Sequence, residues 1–379
     1  MDFNLTQEQQ QFAEAIRRWA EKDYGFEQRK HIISSAEGVS KKAWSELAEL
    51  GATALPIPED QGGFNGSAVD MMVVMQELGR SLVIEPYFAT MVAAECLKQS
   101  KAHFDVLEQV AAGEKQLAVA LGEKQSRYDL FDITTTATAN QDGFVINGTK
   151  TVVLHGAQAD MLIVSARSSG NQRDKSGIHL FLVDAKSAGV HRTDYRTIDG
   201  YRAADIRFDK VQVAPINLLG DENKGWDLLD ATGDYGVSLL CSEAIGLMEA
   251  INAATLDYLK TRQQFGVPIG KFQVLQHRMA DMFMEMEQAR SMATLAAVKV
   301  SSPNTEERRR TLSAAKARIG QAARYIGQQA VQLHGGMGVT NELPVAHMFK
   351  RLTTIELSFG DTDHHLARFV AQPDFKVSA

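Results

Sequence analysis

The sequence has 379 residues, enough for two or three domains that each bury a core. Of these residues, 44% are hydrophobic and 23% are charged, as in ordinary soluble proteins. The formal net charge is -7 and no long basic tract offsets it. Nucleic acid is therefore not expected as a partner, because phosphate binding depends on clustered Lys and Arg.

Cysteine usage and the N-terminal stretch bear on the cellular compartment. Cys96 and Cys241 are too few and too widely separated to indicate a disulfide scaffold, and neither has a metal-type spacing, so no metal site is expected. The stretch "MDFNLTQEQQ" lacks the basic and apolar regions of a signal peptide, and no run of about 18 apolar residues occurs. The sequence predicts a cytoplasmic protein without a membrane span.

Residues 1–115 are predicted to form an N-terminal helical domain. Thr6 and Gln9 have the spacing of a capping box, and apolar residues then recur on one helical face at Phe12, Ile16 and Trp19. The segment "KKAWSELAELG" is a second predicted helix. After the Pro- and Gly-rich loop "PIPEDQGGFNGS", the segment "AVDMMVVMQELGRSL" is again helical.

Residues 116–230 are predicted to form a middle β-barrel or β-sandwich domain. The stretches "DMLIVSAR", "GIHLFLVDA" and "RAADIRFDKVQVAP" have the composition of strands, and "DYRTIDGY" is a predicted loop. In "GFVINGTKTVV", Asn147 and Gly148 stand between two β-prone arms. Asn-Gly is the strongest short-range signal for a hairpin, so a hairpin turn is predicted there.

Residues 231–379 are predicted to form a C-terminal four-helix bundle. Long helical segments are interrupted at Pro268, at Pro303 and at the "GGMG" of residues 335–338. Antiparallel helices joined by short breaks pack as a bundle. The predicted fold class is therefore an α+β multidomain protein with helical, β and helical domains in that order.

Two of these interruptions carry motifs. They are "RQQFGVPIGKFQVLQHRMADM" at 262–282 and "QLHGGMGVTNELPVAHMFKR" at 332–351. Each alone is explained by a simple helix break. Together, in this order and spacing, they resemble the C-terminal signatures of the acyl-CoA dehydrogenase family. The stretches "MDFNLTQEQQ", "PEDQGG", "QELGRSL" and "INGTK" match the same family in order, so the resemblance covers nearly the whole chain and implies the acyl-CoA dehydrogenase fold.

The resemblance implies that FAD is bound across a subunit interface. In the family, an Arg-x-x-Phe-Gly stretch with a later Gln holds the pyrophosphate and adenine end of a neighbouring subunit's FAD, and a Gln-x-x-Gly-Gly-x-Gly turn lets the backbone approach it. An Arg suits this role because its guanidinium donates two hydrogen bonds to phosphate and stays charged. The corresponding positions here are Arg262, Phe265, Gln273, Gln332, Gly335, Gly336 and Gly338.

The positions that contact the flavin ring in the family differ here. The family's Thr-Glu-Pro segment aligns with Gly122 and Glu123, and its Trp-x-Thr arm places Val152 at the Trp and Leu154 at the hydroxyl residue. Neither the Val nor the Leu side chain can donate a hydrogen bond to flavin N5. The resemblance therefore implies a middle domain without side-chain donors to the ring.

The catalytic base is also missing from its usual positions. The family reaction is the α,β-dehydrogenation of an acyl thioester, in which a carboxylate removes the α proton. The two known base positions align with Phe359 and Gly236, and the weak substitute is Asp361. Glu243 lies two helical turns beyond Gly236 and is expected to pair with a neighbouring subunit. Glu356 is expected to be solvated or to cap a helix.

Three interpretations follow. In the first, the chain is one subunit of a hetero-oligomeric acyl-CoA dehydrogenase, an α2β2 assembly with a paralogous partner. The resemblance then implies a bulky, steroid-derived or dicarboxylic acyl-CoA substrate, a role in lipid or steroid catabolism, and electron-transfer flavoprotein as acceptor. The second is a homo-oligomeric dehydrogenase with Asp361 as displaced base. The third, a non-catalytic acyl-CoA-binding scaffold, does not explain why Arg262, Phe265 and Gln273 are kept.

Overall fold

The computed structural model describes residues 5–221 and 223–373. Residues 1–4, which begin the stretch "MDFNLTQEQQ", and residues 374–379 lie outside the described part. The α-helices are α1 (Gln7–Asp23), α2 (Phe26–Ser34), α3 (Lys41–Glu49), α4 (Ala68–Arg80), α5 (Tyr87–Ser100), α6 (Phe104–Ala111), α7 (Gly225–Thr261), α8 (Gln273–Lys299), α9 (Thr305–His334), α10 (Pro344–Leu357) and α11 (Thr362–Val370).

The β-strands lie mainly in the middle of the chain. They are β1 (Leu117–Ala120), β2 (Thr136–Asn140), β3 (Gly143–Leu154), β4 (Met161–Arg167), β5 (Ile178–Asp184), β6 (Val190–Arg196), β7 (Arg202–Val213), β8 (Leu218–Leu219), β9 (Gln263–Gln264) and β10 (Val267–Pro268). The three stretches predicted as strands correspond to β4, β5 and β7, which confirms that part of the sequence analysis.

The chain divides into two compact units. Among the described residues, the first contains residues 5–30, 68–83 and 237–373, and it is mainly helical. The second contains residues 31–67 and 84–236, and it holds the eight-stranded sheet.

Helix α1 begins at the predicted capping box. Thr6 Oγ1 accepts a hydrogen bond from the backbone N–H of Gln9 at 3.2 Å, and Gln9 Oε1 accepts one from the N–H of Thr6 at 2.9 Å. This pairing satisfies two of the N–H groups that a helix start leaves without a partner. Ile16 and Trp19 are buried on the face that the sequence predicts.

In the first unit, α4 and α7 approach each other at the backbone. A β-carbon added at Gly246 would overlap the carbonyl oxygen of Gln76, and one added at Gly79 would overlap the carbonyl oxygen of Glu243. Each helix therefore needs a glycine where the other passes. The absence of side chains at both positions lets the two helices lie closer than bulky residues would allow.

Helix α7 is long and apolar enough to cross a membrane by length and composition, with a mean hydropathy of 1.3 in its most apolar window. Of that window, 78% is buried inside the protein. Burial of this extent is typical of a core helix, and no other helix in residues 5–221 and 223–373 meets the same criteria.

The sheet of the second unit has the strand order β6-β7-β3-β2-β4-β5-β8, and β1 also pairs with β4. The pairings of β4 with β1 and β2 are parallel, whereas the other neighbours are antiparallel. Apolar side chains on the inner face form a continuous core that includes Val164, Phe181 and Ile206. This core positions β3, the strand that carries Val152 and Leu154.

The predicted hairpin turn at Asn147 and Gly148 is wrong. Strand β3 runs through both residues, and the hairpin instead joins Asn140 of β2 to Gly143 of β3. A register shift against β7 occurs at this point, so the Asn-Gly pair forms a β-bulge. Asn147 Oδ1 accepts a hydrogen bond from the N–H of Lys210 at 2.8 Å, which holds the bulge against β7.

Strand β6 lies in a region that the sequence analysis treats partly as a loop. It pairs with β7 from Val190 opposite Phe208 to Arg196 opposite Arg202. Most of its side chains are exposed, because it is the edge strand of the sheet. With both faces polar, the strand lacks the apolar alternation on which prediction depends, and its charged residues discourage pairing with another sheet.

A second bulge in β3 lies at Val152. The register against β7 shifts between Lys150 and Val153, and Val152 has a φ of 53°. A β-branched residue in the left-handed region is strained. The N–H of Val152 donates to Asp205 Oδ1 at 3.1 Å, and the hydroxyl of Tyr195 donates to the same oxygen at 3.1 Å. The backbone geometry is therefore held by Asp205 and not by the valine side chain.

Replacing Val152 by Asn is expected to raise the free energy of unfolding by about 1 kcal/mol, since Asn tolerates the left-handed region far better than Val. Urea unfolding of the full chain measures this difference. Val274→Asn is the matched control, because Val274 is 60% exposed against 59% for Val152 and lies in a helix. An equal gain in both variants would show that backbone strain at Val152 is not the cause.

Candidate functional site

Arg262 and Phe265 lie on a small hairpin that follows α7. The N–H of Arg262 donates to the carbonyl of Tyr258 at 2.8 Å, and the carbonyl of Arg262 accepts from the N–H of Ile269 at 2.8 Å. Between these bonds, β9 and β10 pair in antiparallel fashion. Phe265 and Gly266 form the tip with φ values of 54° and 75°. This segment, residues 262–269, is called the tip hairpin below.

The tip hairpin presents its aromatic residue to solvent. Phe265 is 91% exposed, and its only ring neighbour in the described part of the chain is Phe272, at a centroid distance of 5.9 Å in an edge arrangement. Arg262 is also exposed, and so is Gln273, the first residue of α8. The three positions of the first motif therefore face outward from the unit that carries them.

The second motif lies at the end of α9. Gln332 is exposed in the last helical turn, and the helix ends at Gly335, which has a φ of 59°. A β-carbon added at Gly335 or Gly336 would meet no atom within 4 Å. By contrast, a β-carbon at Gly338 would lie 2.5 Å from the carbonyl oxygen of Val331. Gly338 is therefore required by packing, whereas the space beside Gly335 and Gly336 is open to a ligand.

An aromatic stack joins the two motifs. The ring of Tyr258 in the last turns of α7 lies on the ring of His334, with centroids 4.5 Å apart and an interplanar angle of 27°. His334 is held by a contact of 2.9 Å between Nδ1 and the carbonyl of Ala330. Because Arg262 is hydrogen-bonded to Tyr258 and Gly335 follows His334, the stack brings the beginnings of the two motifs to one side of the first unit.

The exposed groups suit the pyrophosphate and adenine end of FAD. Among the residues that the structure describes, no carboxylate lies within ion-pair distance of the Arg262 guanidinium, so its donors are available to phosphate oxygens. The open turn at Gly335 and Gly336 allows a ligand to approach backbone amides. The amides of Gln273 and Gln332 can both donate and accept hydrogen bonds.

The positions aligned with flavin-ring contacts lie in the second unit. Val152 is exposed and Leu154 is half-buried, and neither side chain has a polar atom. Glu123 is buried against Lys150, with Nζ and Oε1 2.8 Å apart, and it accepts the backbone N–H groups of Thr134 at 2.9 Å and Thr135 at 3.1 Å. Both oxygens of its carboxylate are therefore hydrogen-bonded inside the second unit.

The Glu123 carboxyl is strongly acidic. Burial raises its pKa, but attraction to the Lys150 ammonium and hydrogen bonds from Lys150, Thr134 and Gln125 outweigh burial and lower the pKa to about 2. The carboxylate is therefore ionised at neutral pH. A group with so low a pKa is a poor general base, because proton transfer works best when the pKa lies near the working pH.

Neither aligned base position carries an acid in the structure. Gly236 is buried inside α7, and Phe359 is half-buried with a φ of 55°. The carbonyl of Phe359 lies 2.9 Å from Nε2 of His365. Lys316 is buried on α9 and donates to the carbonyls of Glu356 at 2.9 Å and Gly360 at 2.7 Å. This segment is thus tied to the helices behind it.

Asp361 is the N-cap residue of α11. Its Oδ1 accepts a hydrogen bond from the N–H of His364 at 2.8 Å, and its backbone is extended, as N-cap geometry requires. The carboxylate is half-buried. Capping accounts for an acidic residue at this position without a role in proton abstraction.

Glu243 has a different partner from the one that the sequence analysis expects. Both of its oxygens bind Arg351 of the same chain, at 2.5 Å to Nε and 2.7 Å to Nη2, and both residues are buried. Glu356 is also buried and not solvated, although it does cap a helix. Its Oε1 accepts from the N–H and hydroxyl of Thr362 at the start of α11 and from Arg324.

A helical unit and a sheet unit in one chain, with an exposed Arg and an open Gly-Gly turn, are the features expected of a flavin-dependent dehydrogenase. Comparison with protein families agrees over almost the whole chain. The chain matches the acyl-CoA dehydrogenase N-terminal domain over residues 6–103, the middle domain over 118–211 and the C-terminal domain over 223–372. The chain belongs to the acyl-CoA dehydrogenase family of FAD-dependent oxidoreductases, as the sequence motifs predict.

Individual relatives support the same assignment. A probable acyl-CoA dehydrogenase of Bacillus subtilis is 30% identical, and the alignment covers 96% of this chain and 97% of the relative. The butyryl-CoA dehydrogenase structure from Megasphaera elsdenii has a TM-score of 0.89 at 28% identity, covering 97% of this chain and 98% of that one. A variant of the Tcur3481-Tcur3483 steroid ACAD has a TM-score of 0.87 at 27% identity and covers 96% of both chains.

Two substitutions test the capping role of Asp361. Asp361→Asn is expected to leave the free energy of unfolding within about 0.5 kcal/mol of the natural chain, whereas Asp361→Ala costs about 1 kcal/mol, because Asn caps a helix as well as Asp does and Ala does not. Thermal unfolding measures both values. Equal stability of all three proteins would contradict the capping role.

Proposed function

We propose that the chain is one subunit of a hetero-oligomeric, FAD-dependent acyl-CoA dehydrogenase with α2β2 composition. In this proposal, the chain holds the pyrophosphate and adenine end of an FAD whose ring lies in a paralogous partner subunit. The residues that hold it are Arg262, Phe265, Gln273, Gln332, Gly335 and Gly336. The observation that carries the proposal is that all six are exposed, while the stacked rings of Tyr258 and His334 hold the end of α7, just before Arg262, beside the end of α9, just before Gly335.

Phe265 gives the physical argument for a neighbouring subunit. A phenylalanine ring that is 91% exposed leaves nearly all of its apolar surface in water. Covering such a side chain contributes about 2 kcal/mol to an association. Arg262 lies near Phe265 and carries a positive charge. In the proposal, Arg262 binds the phosphates of the dinucleotide, and Phe265 packs against the partner subunit that holds the flavin ring.

In the proposal, the described residues of this chain do not by themselves complete a reaction centre. The bound FAD would supply the acceptor for the hydride that leaves the β carbon of the acyl group. Removal of the α proton needs a carboxylate within hydrogen-bond reach, but Gly236 and Phe359 occupy the aligned positions and Asp361 caps α11. Val152 and Leu154 offer no donor to the ring. In the proposal, the partner subunit supplies both the base and the ring contacts.

The substrate that we propose is a bulky acyl-CoA, either steroid-derived or dicarboxylic. The support is the similarity to the Tcur3481-Tcur3483 steroid ACAD, whose name joins two proteins and specifies a steroid. A subunit without a reaction centre of its own leaves space for a large acyl group in the partner's site. We further propose electron-transfer flavoprotein as the electron acceptor, a cytoplasmic location and a role in lipid or steroid catabolism.

The first experiment measures flavin content and mass for the chain expressed alone and co-expressed with an acyl-CoA dehydrogenase paralogue from the same genome. Alone, the chain is expected to carry fewer than about one FAD per ten molecules, because half of the site is missing. With its partner it is expected to form a yellow tetramer with about one FAD per pair of chains. A lone chain that binds one FAD per copy and oxidises acyl-CoA would overturn the proposal in favour of a homo-oligomer.

In the co-expressed complex, Arg262→Met is expected to weaken FAD binding by about 10- to 100-fold, the loss typical of charge-assisted hydrogen bonds to phosphate. Fluorescence titration of FAD into the cofactor-depleted complex measures the change. Arg18→Met is the control, since Arg18 is also exposed but lies on α1. Undiminished affinity in Arg262→Met would remove Arg262 from the FAD site.

A further inference from the structure

His347 lies on α10, directly after the loop that follows Gly335 and Gly336. Its Nδ1 lies 3.0 Å from Nη1 of Arg29, which is fully buried and also donates through Nε to the carbonyl of Leu82 at 2.8 Å. On its other side, Nε2 of His347 lies 3.1 Å from the carbonyl oxygen of Asn341. The ring of Phe26 packs edge-on against the imidazole at a centroid distance of 5.0 Å.

These two contacts fix the protonation state of the imidazole by elimination. A guanidinium can only donate hydrogen bonds, so Nδ1 of His347 must accept from Arg29 and carry no proton. A carbonyl oxygen can only accept, so Nε2 must carry the proton and donate to Asn341. The contacts are satisfied together only by the neutral form of His347 with its proton on Nε2.

The same loop has a second attachment to α10. Lys350 Nζ donates to the side-chain oxygen of Asn341 at 2.9 Å. Asn341 is therefore held at its backbone by His347 and at its side chain by Lys350, one helical turn further along α10. Together they position the segment of residues 335–343, called the glycine loop below, which begins with the two open glycines.

We propose that neutral His347 is a positioning residue for the glycine loop, and that its protonation releases the loop and weakens FAD binding at the shared site. If Nδ1 were protonated, it would become a hydrogen-bond donor. It would then face the N–H of Arg29, which is also a donor, and the hydrogen bond between them would be lost. The imidazolium would then move away from Arg29 and from Asn341. The proposal rests on the proposed function, because it takes the glycine loop as part of the FAD site.

The charged groups around His347 favour its neutral form. They are Arg29 and Lys30 on α2 and Lys350 on α10, and Lys30 is itself paired with Glu27. Burial lowers the pKa of His347 below its ordinary value of 6.5, the positive charges of Arg29, Lys350 and Lys30 lower it further, and only the Asn341 carbonyl acts to raise it. The loop attachment is therefore complete at neutral pH and is lost as the pH falls through the lowered pKa.

Hydrogen exchange of backbone amides in residues 335–343 tests the attachment on the full chain without FAD. Protection, corrected for intrinsic exchange, is expected to fall about fivefold between about pH 8 and a lower pH at which the NMR signals of the imidazole show that His347 is protonated, the factor for one lost neutral hydrogen bond. In His347→Gln the amide oxygen can still accept and the amide nitrogen can still donate, so protection is expected to persist at both pH values. His347→Leu is expected to show low protection throughout.

His277→Gln is the matched control, because His277 is an exposed histidine on α8 of the same unit. It is expected to keep the pH dependence of the natural chain. A glycine loop whose protection does not change with pH in the natural chain, or changes equally in His347→Gln, would overturn the positioning role.

The second readout is FAD affinity of the co-expressed complex at the same two pH values. Affinity is expected to fall about fivefold at the lower pH in the natural complex and to stay level in His347→Gln. If the loop loosens but FAD affinity does not change, the assignment of the glycine loop to FAD is wrong. If neither changes, His347 has no positioning role. The failure of each hypothesis is therefore visible separately.

Discussion

The backbone contact between α4 and α7 is the constraint on which the first unit depends. Gly246 of α7 and Gly79 of α4 each stand where a β-carbon would overlap the other helix. Because the two helices meet this closely, the position of α7 is fixed over its central turns. Glu243 can then reach Arg351 on α10, and the last turn of α7 presents Arg262 at a defined place. The dinucleotide site proposed above would need this rigidity, because contacts that are loosely held bind weakly.

The positions aligned with cofactor contacts differ in character between the two units. Those at the ends of α7 and α9 are exposed and include an Arg and two open glycines, whereas the strand that carries Val152 has an apolar side chain on a strained backbone. The strain is held by Asp205. The backbone geometry of the bulge therefore does not depend on the valine side chain.

Short sequence patterns correctly predicted those structural features that depend on interactions between residues close together in sequence. The capping box of Thr6 and the ends of the long helices are examples, because each depends on residues a few positions apart. The Asn-Gly pair misled because Lys210, in another strand, binds Asn147 and turns the pair into a bulge. The bond between Glu243 and Arg351 spans 108 positions, and neither residue is distinguished from a surface charge by its neighbours in sequence. Such contacts exist only once the helices have packed.

The exposure of Phe265 has a consequence for how the protein is made. In the proposed assembly, a copy that has not yet bound its partner subunit displays this ring, with Phe272 and Val274 also exposed after it. Bare apolar surface attracts other unfolded or half-assembled chains. If the proposed partner subunit covers this ring, synthesis of this chain in excess of the partner would leave apolar surface exposed and would favour aggregation.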